Sequence, residues 1–523
     1  MTVEESPIVP STSSAVTDAA EVSDAATRDG RVGTSARTVA MALRSSAVRL
    51  AVEVPMILVL LPFVLAQVTT ERYGLWATFA SLLTLGGLLD AGIRIEITRR
   101  VGSAHGGGDP VALQRAVSEG ITLLLALAAG VVVVGTAIGP LLLSLTFPDG
   151  APVSLPALYA AVLGLLVVSV LSGALFGLLR GLQRPDVEAY GAIAGLLTTA
   201  VTSVVLLLAG LGVWALYGTA LAAYLVRVAV QYAGVRRLAP DVRLRPARLQ
   251  RGGRRATAQL TGLALLTQVP EVVNAQWDKL VLSRYTGSGG VAQYELGSSL
   301  GLQSRALALL PLLPLLAAMS ELRVRDAVGR DELFERLSRI SAAVGAVVLL
   351  GVVALAPAFF RVWLGDDYSD AAAVARVVAA GMLVGLVGAP WVAYALAERW
   401  HDAPAASAVV LIAVNAVVTV ILVPRVGLLG AATGSVAGNV VAVTLLWAVV
   451  RRRARRPWLR PATRPVLLTA LVCAGALLLG SADVASRLGF VGATAAFLAV
   501  VLVLLHASGD LRLREVADLV RRR

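Results

Sequence analysis

Polar and ionisable side chains recur inside the long apolar stretches of this sequence, where such groups are rare. Glu271, Asn274 and Asp278 are spaced at i, i+3 and i+7, so on a helix they form one polar stripe on an otherwise apolar surface. A charged side chain at the centre of a bilayer costs about 2.5–3.5 kcal/mol on insertion scales, and it normally faces water or a partner. We predict that this stripe forms an ion or proton site, with Asp90 and Glu53 from two earlier stretches.

Arginines occupy similar positions and indicate a second kind of chemistry. Arg305 lies deep in an apolar stretch two residues after Gln303, and Arg49 precedes Glu53 by four residues, so that this last pair can interact on one helix face. The planar guanidinium presents several donors at once, which suits the oxygens of a phosphate. The predicted substrate-binding set is Arg49, Arg94, Arg305, Lys279 and Gln303.

Simpler roles exist for the same residues. The charges could neutralise one another between helices, as buried ion pairs do without a ligand, and Arg94 could extend its side chain to the membrane surface. His105, His401 and His506 are isolated, and Cys473 has no second cysteine to pair with. We therefore expect no metal site, no cofactor and no disulfide.

The elements that must position these groups are membrane-spanning helices. Hydrophobic residues make up 57% of the sequence, mean hydropathy is +0.79, and apolar runs of about 18 or more residues recur along the chain. Helices satisfy their own backbone hydrogen bonds in hydrocarbon, so we predict an all-α polytopic membrane protein with about 14 transmembrane helices. The predicted spans are 41–67, 74–97, 117–146, 154–179, 188–210, 213–234, 257–283, 290–318, 338–357, 371–397, 405–424, 428–450, 465–481 and 488–507.

Arginine-rich loops orient these spans. The loops at 235–256 and 451–464 are the most basic, and such loops stay on the cytoplasmic side. Both termini are then cytoplasmic. The predicted segments are a disordered tail at 1–36, an N-terminal lobe at 37–234, a basic linker at 235–256, a C-terminal lobe at 257–450, a basic loop at 451–464, two further helices within 465–507 and a basic tail at 508–523.

The first twelve spans look like six plus six. Pro55 and Pro270 are 215 positions apart, and so are Gly212 and Gly427. An even number of spans per half gives parallel repeats, which predicts two six-helix lobes around a central cavity, with Pro55 and Pro270 as hinges. Proline is also simply commoner in membrane helices than in soluble ones. Glycines spaced four apart predict close helix packing at Gly173, Gly177, Gly181, Gly430, Gly434 and Gly438.

Several motifs resemble one family of membrane proteins. They are ERYGLW at 71–76, LLDAGI at 88–93, GLQR at 181–184, DKLVL at 278–282 and GLLGAA at 427–432. These stretches are similar to the polysaccharide flippases, of the O-antigen and teichuronic-acid type, in the multidrug/oligosaccharidyl-lipid/polysaccharide (MOP) exporter superfamily.

The resemblance covers roughly residues 40–450 and implies a function. A polysaccharide flippase moves an undecaprenyl-pyrophosphate-linked oligosaccharide outward across the bacterial cytoplasmic membrane by alternating access between two lobes. Arg49, Arg94 and Arg305 would then contact the pyrophosphate head group, and the acidic set would couple an ion or proton to transport. The implied partners are membrane lipid and the polyprenyl-linked glycan, with a polymerase and glycosyltransferases of the same pathway as candidates.

Other functions stay open at this point. A cation-coupled multidrug exporter of the same superfamily would share the fold, although the arginines inside the spans argue against a cationic solute. A membrane-embedded glycan-assembly enzyme would need catalytic groups on a sizeable loop, and the outer loops are short, so we expect no enzyme. A scaffold is the remaining alternative. The arginine clusters lie in loops between apolar runs, which favours membrane orientation over nucleic-acid binding.

Overall fold

The computed structural model describes residues 52, 55–86, 90–148, 153–247, 251–309, 327–454, 466–467, 469–472 and 487–507, with backbone alone for 85–86, 91, 251–275, 327–331, 487–488 and 505–507. The predicted residues Arg49 and Glu53 lie outside the described residues, as do the side chains of Glu271 and Asn274. Helices make up the regular structure of the described part. Their bounds are α1 Pro55–Gln67, α2 Thr70–Gly86, α3 Ala91–Gly106, α4 Pro110–Thr146, α5 Leu155–Gly181, α6 Pro185–Leu208, α7 Val213–Leu238, α8 Arg251–Leu309, α9 Ala327–Gly345, α10 Gly351–Trp363, α11 Ser369–Ala397, α12 Asp402–Val426, α13 Leu428–Ala454 and α14 Arg487–Ala507.

The helices have the length and composition of membrane spans. Within the described residues eight segments are long and apolar enough to cross a bilayer, and α1 and Gly489–Leu504 are shorter apolar helices. The prediction of an all-α polytopic membrane protein is confirmed, whereas the count of 14 spans stays a prediction. The eight are Pro110–Thr146, Leu155–Gly181, Pro185–Leu208, Val213–Leu238, Glu332–Trp363, Asp366–Ala397, Asp402–Val426 and Leu428–Ala454.

The second predicted span, 74–97, falls on two described helices. Helix α2 ends at Gly86 and α3 begins at Ala91 with Asp90 as its N-cap residue, while residues 87–89 lie outside the described residues. Asp90 and Arg94 therefore belong to the first turn of a new helix.

The two spans predicted at 257–283 and 290–318 form α8, which is interrupted at Gly287. The backbone of Gly287 has φ 69° and ψ −179°, a conformation that glycine adopts without steric cost. We call residues 251–286 the first limb of α8 and residues 288–309 the second limb. The limbs place side chains that are 16 positions apart, such as Asp278 and Tyr294, within hydrogen-bonding distance.

The stripes of glycine bring helices close together, as predicted. On α5, a Cβ at Gly177 would lie 2.8 Å from the Ile97 side chain of α3. On α13, a Cβ at Gly438 would lie 2.7 Å from the backbone oxygen of Leu411 in α12. Both helix pairs thus pack backbone against backbone, as small residues permit in membrane proteins.

Buried side chains gather into two groups that follow the two halves of the sequence. One core contains residues of α3, α4, α5 and α7 with Val242, and a larger one is built from α8 to α14 with Ala77 of α2. Helix α1 touches both halves: Val64 packs with Leu207 and Leu216, while Leu61 packs near Leu296. This arrangement is a pair of lobes with α1 between them.

At several points between the lobes, a glycine or a side chain on one helix contacts the backbone of another. A Cβ on Gly74 of α2 would overlap the carbonyl oxygen of Ser288, so only glycine fits there. Trp363 donates from Nε1 to the carbonyl oxygen of Leu58 at 2.7 Å, which ties α10 to α1. Arg284 donates to the carbonyl oxygen of Leu145 at 3.1 Å and ties the first limb of α8 to the end of α4.

Candidate functional site

A buried carboxylate surrounded by hydroxyl groups lies inside the C-terminal lobe. Asp278, on the first limb of α8, is 1% exposed. Its Oδ2 accepts hydrogen bonds from Tyr294 Oη at 2.6 Å and Ser435 Oγ at 3.1 Å, and its Oδ1 accepts one from Thr419 Oγ1 at 3.1 Å. We call Asp278, Tyr294, Asn415, Thr419 and Ser435 the acidic cage.

The acidic cage is rich in oxygen and has a single formal charge. Two acceptor oxygens, Asp278 Oδ1 and Asn415 Oδ1, each lie 3.1 Å from Thr419 Oγ1. Because this hydroxyl has one hydrogen, it can donate to only one of them at a time. One carboxylate with several neutral oxygens is a ligand set for one monovalent cation or one proton. Among the described residues there is no group of three or more His, Cys, Asp and Glu side chains that would suit a multiply charged metal ion.

Helix packing fixes the acidic cage. Gly434 on α13 faces α12, where an added Cβ would lie 2.6 Å from Asn415 Oδ1 and would also overlap Thr419. The glycine at this position therefore lets Asn415 and Thr419 approach Ser435 and Asp278. Gly434 is one of the glycines spaced four apart at which the sequence predicts close helix packing.

An ion pair adjoins the acidic cage on the same two limbs. Lys279 Nζ pairs with Glu295 Oε2 and donates to Gln276 Oε1 at 2.8 Å. The Lys279 side chain is 8% exposed and that of Glu295 is 23% exposed. Lys279 was predicted to bind the substrate, and in this structure its ammonium group is paired with a protein carboxylate.

A cavity of about 660 Å³ lies between the two lobes. Its walls come from α1, α2, α6 and α7 on one side and from the second limb of α8 and α10 on the other. Most of the wall is apolar and aromatic, including Tyr73, Trp76, Phe359 and Trp363. Among the described residues, the charged and amide side chains that line it are Arg227, Glu295 and Gln303.

One stripe of the second limb faces this cavity. Glu295, Ser299 and Gln303 are spaced four apart and all line it, as expected for one face of a helix. Gln303 thus lies where a substrate could contact it. Arg305 is two residues further on, about 200° around the helix, and is half-buried on another face. Gln303 and Arg305, which were predicted together, therefore lie on different faces of the second limb.

Arg94 belongs to the packing between α3 and α5. Its Nη2 lies 2.9 Å from Asp90 Oδ1, and its guanidinium stacks 5.1 Å from the centre of the Phe176 ring. Asp90 is 1% exposed, and a Cβ on Gly173 would lie 2.8 Å from Asp90 Oδ2. The Asp90–Arg94 pair is separate from the acidic cage and from the residues that line the cavity.

The proposed proline hinges lie at different kinds of position. Pro55 is exposed at the start of α1. Pro270 lies within the first limb of α8, where the backbone is helical, and the break in that helix occurs at Gly287. The hinge role of both prolines stays a prediction.

Sequence reasoning missed several residues of the site. Thr419 and Ser435 lie 141 and 157 positions from Asp278, and nothing in their local sequence distinguishes them from other small polar residues. Arg227, on α7, lines the cavity and lies 4.0 Å from Glu188 Oε1. Its position inside a predicted span was a signal that could have found it.

Solved structures share this fold. The structure titled "Inward-facing conformation of a multidrug resistance MATE family transporter of the MOP superfamily" aligns with a TM-score of 0.64 and 16% identity over 76% of this chain and 94% of its own. "Lipid II flippase MurJ, inward closed conformation" aligns with a TM-score of 0.67 and 12% identity over 87% of this chain and 97% of its own. A MOP superfamily transporter from Pyrococcus furiosus aligns with a TM-score of 0.55 and 16% identity over 79% and 95%. No curated protein matches the chain.

These likenesses and the two-lobed helical architecture define the class, which is a multi-pass membrane protein with the fold of MOP superfamily transporters. The family model described as "Polysaccharide biosynthesis protein" matches residues 50–320, more than half of the sequence. The chain belongs to that polysaccharide biosynthesis family.

Proposed function

We propose that this protein is a flippase that moves a polyprenyl-pyrophosphate-linked oligosaccharide across the bacterial cytoplasmic membrane by alternating access. The cavity between the lobes carries the proposal. Its apolar and aromatic walls with a few convergent polar groups have the composition of an organic ligand site, and its place between two lobes suits alternating access. Membership of the polysaccharide biosynthesis family supports a glycan precursor as the substrate.

In this proposal, the residues that line the cavity contact different parts of the substrate. Gln303 and the aromatic rings of Tyr73 and Trp363 contact the sugar, while Arg227 supplies a guanidinium for phosphate oxygens. Arg49, Arg94 and Arg305 remain candidates for the head group at other stages of the transport cycle.

The acidic cage supplies the coupling step in this proposal. Asp278 binds one monovalent cation or one proton, and its partners on α12 and α13 hold the bound ion within the C-terminal lobe. Asp90, Glu53, Glu271 and Asn274 remain further candidates for coupling. Both chain termini face the cytoplasm, as the arginine-rich loops indicate.

A blocked cavity tests the transport proposal. Liposomes carrying the purified protein and a fluorescent polyprenyl-pyrophosphate oligosaccharide are exposed to a membrane-impermeant glycosidase. We expect the wild type to exchange the lipid between leaflets and Ala192→Trp, which fills the cavity wall, to lose most of that exchange. Val133→Trp, at a position 67% exposed on the outer surface of α4, is the matched control and should retain it. Equal exchange in both variants, or none in the wild type under any ion gradient, would contradict the proposal.

A cation-coupled multidrug exporter is the second candidate, and one observation favours it. The cavity combines the carboxylate of Glu295 with the rings of Tyr73, Trp76 and Phe359, which suit an aromatic cation. Ethidium efflux from the same liposomes separates the two functions. Efflux without exchange of the lipid-linked oligosaccharide would replace the first proposal with the second.

A further inference from the structure

Two adjacent bridges join the limbs of α8. Tyr294 donates to Asp278, and Lys279 pairs with Glu295. The bonded residues are consecutive on both limbs, so the bridges lie side by side. Because consecutive residues of a helix point about 100° apart, the two bridges face different surroundings.

The two bridges connect the acidic cage to the cavity. The bridge through Asp278 is closed in by α12 and α13, and both of its residues are at most 3% exposed. The bridge through Glu295 borders the cavity, which Glu295 lines. Lys279 therefore lies one contact behind the cavity wall, and the Glu295 carboxylate stands between its ammonium group and whatever enters the cavity.

We propose that Glu295 is a displaceable counter-ion: a substrate with a phosphate or diphosphate group takes its place at Lys279. The inference rests on the proposed function and names the chemistry that the site accepts. Leaving a buried ammonium without a counter-ion is costly, so an arriving anion favours the departure of the Glu295 carboxylate. A phosphate brings more charge and more acceptor oxygens than a carboxylate, and the flexible lysine stem lets the ammonium follow it.

Replacement of Glu295 by a phosphate group at Lys279 accounts for substrate selectivity and connects the cavity to the acidic cage. A neutral sugar has no group that can replace Glu295, whereas a diphosphate has. Once Glu295 leaves Lys279, the limbs lose one of the two adjacent bridges and keep the other, between Tyr294 and Asp278. A change in the cavity then reaches the residue that we assign to ion coupling through bonds between neighbouring residues.

Opposite effects of two substitutions test the exchange. Geranyl pyrophosphate is titrated into the purified full-length protein in nanodiscs, and the Kd is measured by calorimetry. We expect Glu295→Gln to bind about tenfold more tightly, because the competing carboxylate is gone, and Lys279→Gln to bind at least about tenfold more weakly. Glu332→Gln removes the same charge at an exposed position on α9 and should leave the Kd unchanged.

A purely structural ion pair predicts a different result. If the pair only holds the limbs together, both substitutions weaken binding, and that outcome overturns the inference. Unchanged affinity in both variants with a wild type that binds overturns it as well and leaves the flippase proposal standing. No binding to the wild type overturns the inference and the diphosphate head group together. Glu295→Gln preserves side-chain size, so its sign decides even if Lys279→Gln does not fold.

Discussion

At the scale of single residues, Asp278 and Glu295 have carboxylates in very different settings. Asp278 is held by hydroxyl donors from three other helical segments, whereas Glu295 pairs with Lys279, accepts a hydrogen bond from Ser299 Oγ at 3.1 Å and borders the cavity. A carboxylate buried among neutral donors keeps its charge only at a cost, which a bound cation or proton would offset. The Glu295 side chain is partly exposed, so of the two carboxylates it is the one that can leave its partner.

Replacement of Asp278 tests the coupling assignment. In the wild type, a saturating monovalent cation or proton should raise Tm, because a ligand present at 100 times its Kd stabilises the folded state by about 2.7 kcal/mol. Asp278→Asn should lose that rise, while its amide oxygen still accepts one hydrogen bond, from Tyr294 if it takes the Oδ2 position or from Thr419 if it takes the Oδ1 position, and so supports the fold. The measurement is Tm against Na⁺, K⁺ and pH at constant ionic strength.

The control for that measurement is Asp402→Asn, which removes a carboxylate paired with Arg453 at an exposed helix end. It should respond to cations like the wild type. An Asp278→Asn protein that is still stabilised by the same cation, or a wild type stabilised by none of them and by no change of pH, would refute the coupling site.

Sequence reasoning identified Asp278 and Lys279 but not the residues that they contact. Asp278, Lys279 and Gln303 stood out because polar groups in apolar stretches are costly. Thr419 and Ser435, the partners of Asp278, did not, because a hydroxyl can bond its own helix and carries no such cost. The separation of Gln303 from Arg305 follows from helix geometry alone and was available from the sequence.

At the scale of helices, glycine sets which segments come into contact. The pair α12 and α13 packs around Gly430, Gly434 and Gly438, whose absent side chains leave room for the neighbouring backbone. This stripe was predictable because the spacing alone places the three residues on one face. The start of α3 after Asp90 was not, because Asp90 lies within a run that reads as one span.

A single added methyl group tests the packing at the acidic cage. Gly434→Ala should lower stability by about 1–3 kcal/mol and abolish the cation-dependent rise in Tm, since its Cβ would displace Asn415 and Thr419. Thermal unfolding with and without the cation measures both effects.

The matched variant for this test is Gly164→Ala on α5, where nothing lies within 4 Å of an added Cβ. It should be neutral or slightly stabilising, because alanine favours helix over glycine by roughly 0.5–1 kcal/mol. If Gly434→Ala behaved like Gly164→Ala, the close approach of α12 and α13 would not be what holds the cage.

At the scale of the whole molecule, two lobes enclose a cavity whose walls contain α1 and the second limb of α8. The repeat of six plus six spans predicted such lobes, since matched halves that begin on the same side must face each other. The contacts that join the lobes, such as Trp363 with Leu58, could not be predicted, because backbone carbonyl partners carry no sequence signal.

The most direct test of the account is whether the lipid-linked oligosaccharide occupies the cavity. In a protein that carries Cys473→Ser and Gln303→Cys, a polar maleimide labels the new thiol, and the rate is measured with and without polyprenyl-pyrophosphate oligosaccharide. The matched site is Gly106→Cys, exposed at the end of α3 with no atom within 4 Å of its Cβ position. We predict that the oligosaccharide slows labelling several-fold at position 303 and leaves it unchanged at position 106. Equal labelling at position 303 with and without the oligosaccharide, in a protein that transports it, would contradict the assignment of the cavity as the transport pathway.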